Sequence, residues 1–256
     1  MARLDGKVAL ITGAAKGLGE SDARLFVKEG AKVVLTDIDK DLGIKLADEL
    51  GSDSALFLEQ DVREEDRWKE VLKETVNHFG HLNILVNNAG IVIPGNIESQ
   101  TTEEYRLIMS VHVDSVFFGS KYALPYMNES GSGSIINMAS IAAIQGERYV
   151  VAYCAAKAAI SGLTRATAVH CAQEKYNIRA NCIAPSGMDT PMVQDFGAQM
   201  AEAGLLSGNE ASSPAGQADD IGYMALYLAS DESRFVSGTT MVVDNSMTIT
   251  TGSVPQ

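Results

Sequence analysis

Short runs of β-branched and aliphatic residues alternate along this chain with longer stretches whose apolar positions recur at helical spacing. Residues 7–11 and 32–36 read as strands, and Leu42, Leu46 and Leu50 then fall on one helical face that Gly51 closes. The rhythm continues with strands at 55–58, 82–86, 134–138, 178–183 and 240–243. Between them, Trp68, Val71, Leu72, Val76 and Phe79 form a helix stripe, and 101–128, 149–176 and 218–229 read as further helices. A helix in each crossover lets successive strands run parallel, so the pattern predicts an α/β fold: a Rossmann-like, doubly wound sheet of about seven parallel strands with helices on both faces. No Pro-, Gly- or Ser-rich linker and no repeat divides it, so one domain over 1–256 is expected. Residues 186–216 are long for a loop and are expected to form a substrate loop. Its Met188, Met192, Phe196, Met200, Leu205 and Leu206 would cover an apolar ligand, the alternative being a helical excursion packed on the core.

Composition narrows the function classes. The chain has 256 residues, 46% hydrophobic and 21% charged, enough for a sizeable core and too apolar for disorder. Twenty Lys and Arg against 33 Asp and Glu give a net charge of −13, which disfavours nucleic acid and anionic membrane as partners. No stretch approaches the roughly 18 apolar residues of a spanning helix, and the start of the chain carries no export signature. Cys154, Cys171 and Cys182 have no metal-like spacing and cannot all pair, which suits a reducing, cytoplasmic setting. His78 and His81 frame a helix end and are expected at the surface, and no metal site is expected.

The first strand runs into Thr12-Gly13-Ala14-Ala15-Lys16-Gly17-Leu18-Gly19, after which a helix begins. Glycines there let the backbone turn sharply and approach a pyrophosphate at the positive end of the helix. The next strand leads to Asp37, 18 residues past Gly19, where a carboxylate accepts from both ribose hydroxyls and repels a 2′-phosphate. Lys16 pulls toward that phosphate, whereas Ile38 offers no second cation, so NAD is expected and NADP is less favoured.

The spacing of this glycine turn resembles that of the short-chain dehydrogenase/reductase superfamily. Matching elements are Asp61-Val62, Asn87-Asn88-Ala89-Gly90, and Asn181 with Pro185 and Thr190. The resemblance implies that Asp61 and Val62 contact adenine, that Asn88, Ala89 and Gly90 shape the cofactor floor, and that Thr190 meets the nicotinamide carboxamide. It also implies that Ser140, Tyr153 and Lys157 handle the substrate oxygen, and that the chain forms a homotetramer or homodimer.

The residues carry a physical case of their own. Tyr153 and Lys157 stand four apart on a predicted helix and so share a face. Bringing a phenol of pKa near 10 to neutrality requires about 4 kcal/mol. An ammonium about 4 Å away supplies on the order of 4 kcal/mol at an effective dielectric of about 20. Tyr153 is therefore expected as general base in oxidation and acid in reduction, with Lys157 lowering its pKa and Ser140 donating to the substrate oxygen. Cys154 points away from Tyr153 and is expected in the core.

His112 departs from the family pattern by standing where relatives carry asparagine, and it becomes a candidate proton relay because imidazole both donates and accepts. Two further departures are Pro185-Ser186-Gly187 and the ending Val243-Asp244-Asn245-Ser246. Residues 91–94 and 141–145 and the methionine-rich loop, mostly apolar, would wall the pocket, with Arg148 the one arginine nearby. Several details resemble bacterial hydroxysteroid dehydrogenases, which implies a small apolar secondary alcohol or its ketone (steroid, alicyclic or aryl). The alternatives are a 3-oxoacyl-carrier reductase and a non-catalytic dinucleotide-binding protein.

Overall fold

The structure is a computed structural model that describes residues 2–205 and 215–250. Its elements alternate as the patterning requires: β1 (Val8–Thr12), α1 (Gly17–Lys28), β2 (Lys32–Asp37), α2 (Lys40–Leu50), β3 (Ala55–Glu59), α3 (Glu65–Phe79) and β4 (Ile84–Asn87). They continue with α4 (Thr102–Met109), α5 (Ser115–Glu129), β5 (Gly133–Met138), α6 (Val151–Gln173), β6 (Ile178–Pro185), α7 (Pro191–Glu202), α8 (Ala218–Ala229) and β7 (Thr240–Val243). Seven strands form one parallel sheet in the order β3-β2-β1-β4-β5-β6-β7. The chain winds outward from β1 in one direction, then returns to β4 and winds the other way. That reversal opens a crevice beyond the carboxyl ends of β1 and β4.

Both faces of the sheet are covered, which is why its strands read as unbroken apolar runs rather than as alternation. Ala9 and Ile11 of β1 pack with Phe26, Leu46 and Ile221 on one face, while Leu10 packs with Trp68, Leu72 and Met127 on the other. Phe26 and Trp68 are fully buried, each contributing on the order of 2 kcal/mol or more from area removed from water. The Trp68 indole N–H is not stranded there, because it donates to the Val62 carbonyl at 2.8 Å.

Three expectations need correction. The single helix expected over 101–128 begins with a capping box between Thr101 and Glu104, but a π-helical turn at Ser110–Asp114 separates α4 from α5. Its wider turn changes which residues face inward, and a periodicity count cannot reveal that. The segment 186–216 is not a plain loop: it contains α7, whose first residue is Pro191, pre-set for that position. Leu206 lies outside the described residues. Cys154 is half-buried rather than in the core, with its Sγ 3.9 Å from the Glu147 carbonyl.

Candidate active site

The turn between β1 and α1 is built on backbone that favours glycine. Gly13 has φ +62°, and a Cβ there would lie 2.8 Å from the Ala89 Cα. A Cβ on Gly19 would fall 2.4 Å from the Gly13 carbonyl oxygen and 2.7 Å from Asn88 Nδ2. Gly19 therefore packs beneath the turn and, alone among the residues expected to touch a cofactor, does not line the cleft. Asn88 fixes the turn from below: its Nδ2 donates to the carbonyls of Thr12 (2.9 Å) and Gly13 (3.0 Å). Lys16, at the start of α1, gives that helix no side-chain cap, so its first N–H groups open toward the cleft.

The cleft encloses about 1010 Å³ and runs along the carboxyl ends of the strands. Lys16, Gly17 and Leu18 form one wall, Asp37, Ile38, Asp61 and Val62 one end, and Asn88, Ala89 and Gly90 the floor. Asp37 Oδ2 accepts from Ala15 N at 3.0 Å and Oδ1 from Asp39 N at 2.9 Å, which fixes the carboxylate at the rim. The Arg63 guanidinium beside Asp61 holds that carboxyl below the usual carboxylate range. Lys16 Nζ lies 4.0 Å from Asp39, an exposed pair of little energetic weight. A long groove with an uncapped helix start, a glycine cradle and a fixed carboxylate fits an adenine dinucleotide.

At the other end Ser140, Tyr153, Lys157, Pro185 and Thr190 converge, together with His112. Ser140 follows β5, and its Oγ accepts from Ala142 N at 3.1 Å. Lys157 is buried and donates to the Met138 carbonyl at 2.7 Å, while its Nζ lies 5.2 Å from the centre of the Tyr153 ring. Burial pushes the Lys157 amine down to about 7. Burial also pushes the Tyr153 phenol up to about 12, against a smaller pull downward from the Ser140 hydroxyl. The direction is opposite to the depression expected from Lys157, because desolvation of the phenol in the cleft is the largest effect on it.

His112 is reached through the π-helical turn and is 1% exposed. Its ring meets that of Tyr153 edge-on, with centres 5.3 Å apart and planes at 89°. Burial first, and Lys157 second, push the imidazole down to about 3. Thr190 Oγ1 lies 3.3 Å from the Met188 carbonyl, and Asn181 ties β6 to the approach of β7 through the Val236 carbonyl and Thr239 N.

Of the stretches expected to wall the substrate end, Ile91, Val92, Met188 and Met192 line the cleft. Ile93, Pro94, residues 141–145, Phe196, Met200 and Leu205 do not, and Arg148 instead lies over the Tyr149 ring at 4.9 Å. Gln60, Leu107, Val111, Met138 and Gln199 line the cleft without having been singled out from the sequence. For Met138 no side-chain signal exists, since its backbone carbonyl meets Lys157.

Residues 13–248 match the family described as enoyl-(acyl carrier protein) reductase. A 3-beta-hydroxysteroid dehydrogenase of Comamonas testosteroni is 41% identical over 96% of this chain and 97% of that protein. The chain belongs to the short-chain dehydrogenase/reductase superfamily. Other short-chain dehydrogenases resemble it over similar lengths. An NADP-dependent (R)-specific alcohol dehydrogenase of Lentilactobacillus kefiri is 39% identical, covering 96% of this chain and 98% of its own. A trans-4-hydroxycyclohexanecarboxylate dehydrogenase of Sinomonas cyclohexanicum is 37% identical, covering 96% and 94%. Membership makes the chain an oxidoreductase of a superfamily that binds nicotinamide dinucleotides, in keeping with the groove described above.

Proposed function

We propose that this short-chain dehydrogenase/reductase uses NAD to interconvert an apolar secondary alcohol (steroid, alicyclic or aryl) and its ketone, with Tyr153 exchanging the hydroxyl proton. The observation that carries the reading is one cleft with the fixed Asp37 carboxylate at one end and Ser140, Tyr153 and Lys157 at the other. Asp37 favours ribose hydroxyls over a 2′-phosphate, and of the cations that line the cleft Arg63 is engaged by Asp61 and Lys40 by Glu59, while Lys16 lies 4.0 Å from Asp39. The substrate end is walled by Ile91, Val92, Leu107, Val111, Met188 and Met192, which suits a carbon skeleton without charge.

A bound oxidised nicotinamide ring would supply the hydride acceptor and a positive charge. Gly13, Gly17 and the start of α1 would hold the pyrophosphate, while Asp37, Asp61 and Val62 would hold the adenosine. Ser140 donates to the substrate oxygen. Tyr153 takes the hydroxyl proton in oxidation and returns it in reduction. Lys157, held on the Met138 carbonyl with its Nζ 5.2 Å from the centre of the Tyr153 ring, would stabilise the phenolate by on the order of 3 kcal/mol at an effective dielectric of about 20, working against the upward push of burial. Thr190, which lines the same cleft, would orient the carboxamide.

A carrier-bound acyl substrate would need a basic mouth for an acidic carrier. Asp195 at the cleft and the net charge of −13 speak against it. Exposed Phe117 and Val169 on the outer faces of α5 and α6, and Val242 on the edge strand, support assembly into a homotetramer or homodimer. Three free cysteines support a reducing, cytoplasmic setting. Among the described residues no helix is long and apolar enough to cross a membrane.

The test is absorbance at 340 nm with NAD and with NADP over steroid, cyclic, aryl and short-chain alcohols. Tyr153→Phe is expected to lose about 10³-fold in turnover. A Tyr153→Phe enzyme as fast as its parent would refute the role of the phenol. Dinucleotide binding by calorimetry with no turnover of any alcohol or ketone would favour a non-catalytic protein.

A further inference from the structure

We propose that His112 is a positioning residue whose imidazole, clamped at Nε2 by the backbone of Ile91, fixes the Tyr153 ring and the adjoining pocket wall and carries no proton in turnover. The proposal rests on the reading that Tyr153 exchanges the substrate proton.

The clamp is visible in the contacts. Nε2 lies 2.8 Å from the Ile91 carbonyl oxygen, and the Ile91 N–H points at the same nitrogen from 3.1 Å. Only one of these can be a hydrogen bond at a time, but each tautomer satisfies one of them, so the ring is anchored at Nε2 in both. The adjoining Cε1 edge is packed as tightly: a Cβ on Gly90 would fall 2.5 Å from His112 Cε1, so only glycine there leaves room for the ring. The imidazole then meets the Tyr153 ring at right angles, and Ile91 itself lines the cleft. One side chain thus joins the segment after β4 to the tyrosine on α6.

The same geometry argues against a relay. A proton passing through the ring must enter at one nitrogen and leave at the other. Nε2 faces only a peptide group, which offers no onward base. The charged group that acts on the imidazole is Lys157, a cation, and with burial it keeps the ring neutral.

Two substitutions separate the roles, because the amide of glutamine reaches the place of Nε2 and that of asparagine the place of Nδ1. His112→Gln is expected to keep kcat within about threefold of the parent and His112→Asn to lose about tenfold or more, since small displacements of reacting groups are costly. The pH dependence of kcat should keep its limbs in place in both. In the parent labelled with 13C at histidine Cε1, the signal that vanishes in His112→Gln should not move between pH 5 and 9. A relay predicts the reverse: asparagine restores activity, glutamine does not, a limb of the profile moves, and the His112 signal titrates. Any of these results overturns the proposal. The NMR measurement on the parent stands even if a variant folds poorly. A Tyr153→Phe enzyme with full activity would defeat the underlying reading instead, and the resonance of His112 would be untouched by that result.

Discussion

The Lys157 amine donates to the Met138 carbonyl at 2.7 Å, two residues before Ser140, so the end of β5 seats the lysine and delivers the serine together. That bond holds a cation near a phenol in a pocket where burial alone opposes both charged forms. Lys157→Met keeps the stem and removes the charge. It is expected to lower kcat/KM for alcohol oxidation by about 10²–10³-fold, equivalent to roughly 3–4 kcal/mol, and to shift the rate profile to higher pH. Steady-state kinetics between pH 6 and 10 read both effects.

Asp37 serves the loop as well as the ligand. Replacing it with serine removes the repulsion of a 2′-phosphate and also two anchors of the turn, the bonds from Ala15 N and Asp39 N. NAD affinity is expected to fall about tenfold, and the NAD-to-NADP preference to fall by more than that, from the loss of about 1–3 kcal/mol of hydrogen bonding and charge discrimination. Calorimetric titration with each dinucleotide measures it.

Asp22 on α1 is fully buried, and neither carboxylate oxygen has a hydrogen-bond partner among the described residues, although neighbouring Ser21 donates to Asp219 of α8 at 2.6 Å. Burial raises its pKa from 3.8 to about 8, so the folded chain keeps a proton that the unfolded chain releases. The linked stability is fully present below about pH 4 and is lost as pH rises toward 8. Asp22→Asn removes the linkage. Relative to the parent it should gain on the order of several kcal/mol at pH 8 and little at pH 4.5, read from denaturant melts across pH.

Gly19→Ala sets a methyl group against the Gly13 carbonyl and the Asn88 amide. The variant is expected to lose about 1–3 kcal/mol of stability and to bind NAD more weakly, because the displaced turn is the one that approaches the pyrophosphate. Calorimetric melting and a binding titration test the two effects separately.

Much of the fold was legible because its signals are local. The sequence bounds 240–243 and 218–229 as β7 and α8 are bounded, since a helix face or a short β-branched run is a local signal, even for an edge strand such as β7. Leu82, by contrast, reads from the sequence as part of β4, although the strand starts at Ile84. It is buried like a strand residue, and Asn83 substitutes for part of the ladder by accepting from Val8 N. The helix within 186–216 is ambiguous in the sequence between lid and excursion, because amphipathic spacing does not say what a helix covers, and of α7 only Met200 is buried.

By itself, the sequence determined the alternating strands and helices, the glycine turn, the acid at Asp37 and the Tyr153–Lys157 pair. Each is set by spacing along one segment and by what a single side chain can do. Tertiary structure alone decided that Lys157 meets the Met138 carbonyl, that a π-helical turn carries His112 against Ile91, that Gly19 supports the turn from beneath, and that Asp22 is fully buried. These depend on backbone atoms and dielectric surroundings contributed by segments far apart in the chain, and a residue's identity says nothing of which carbonyl it will meet or how far from water it will lie.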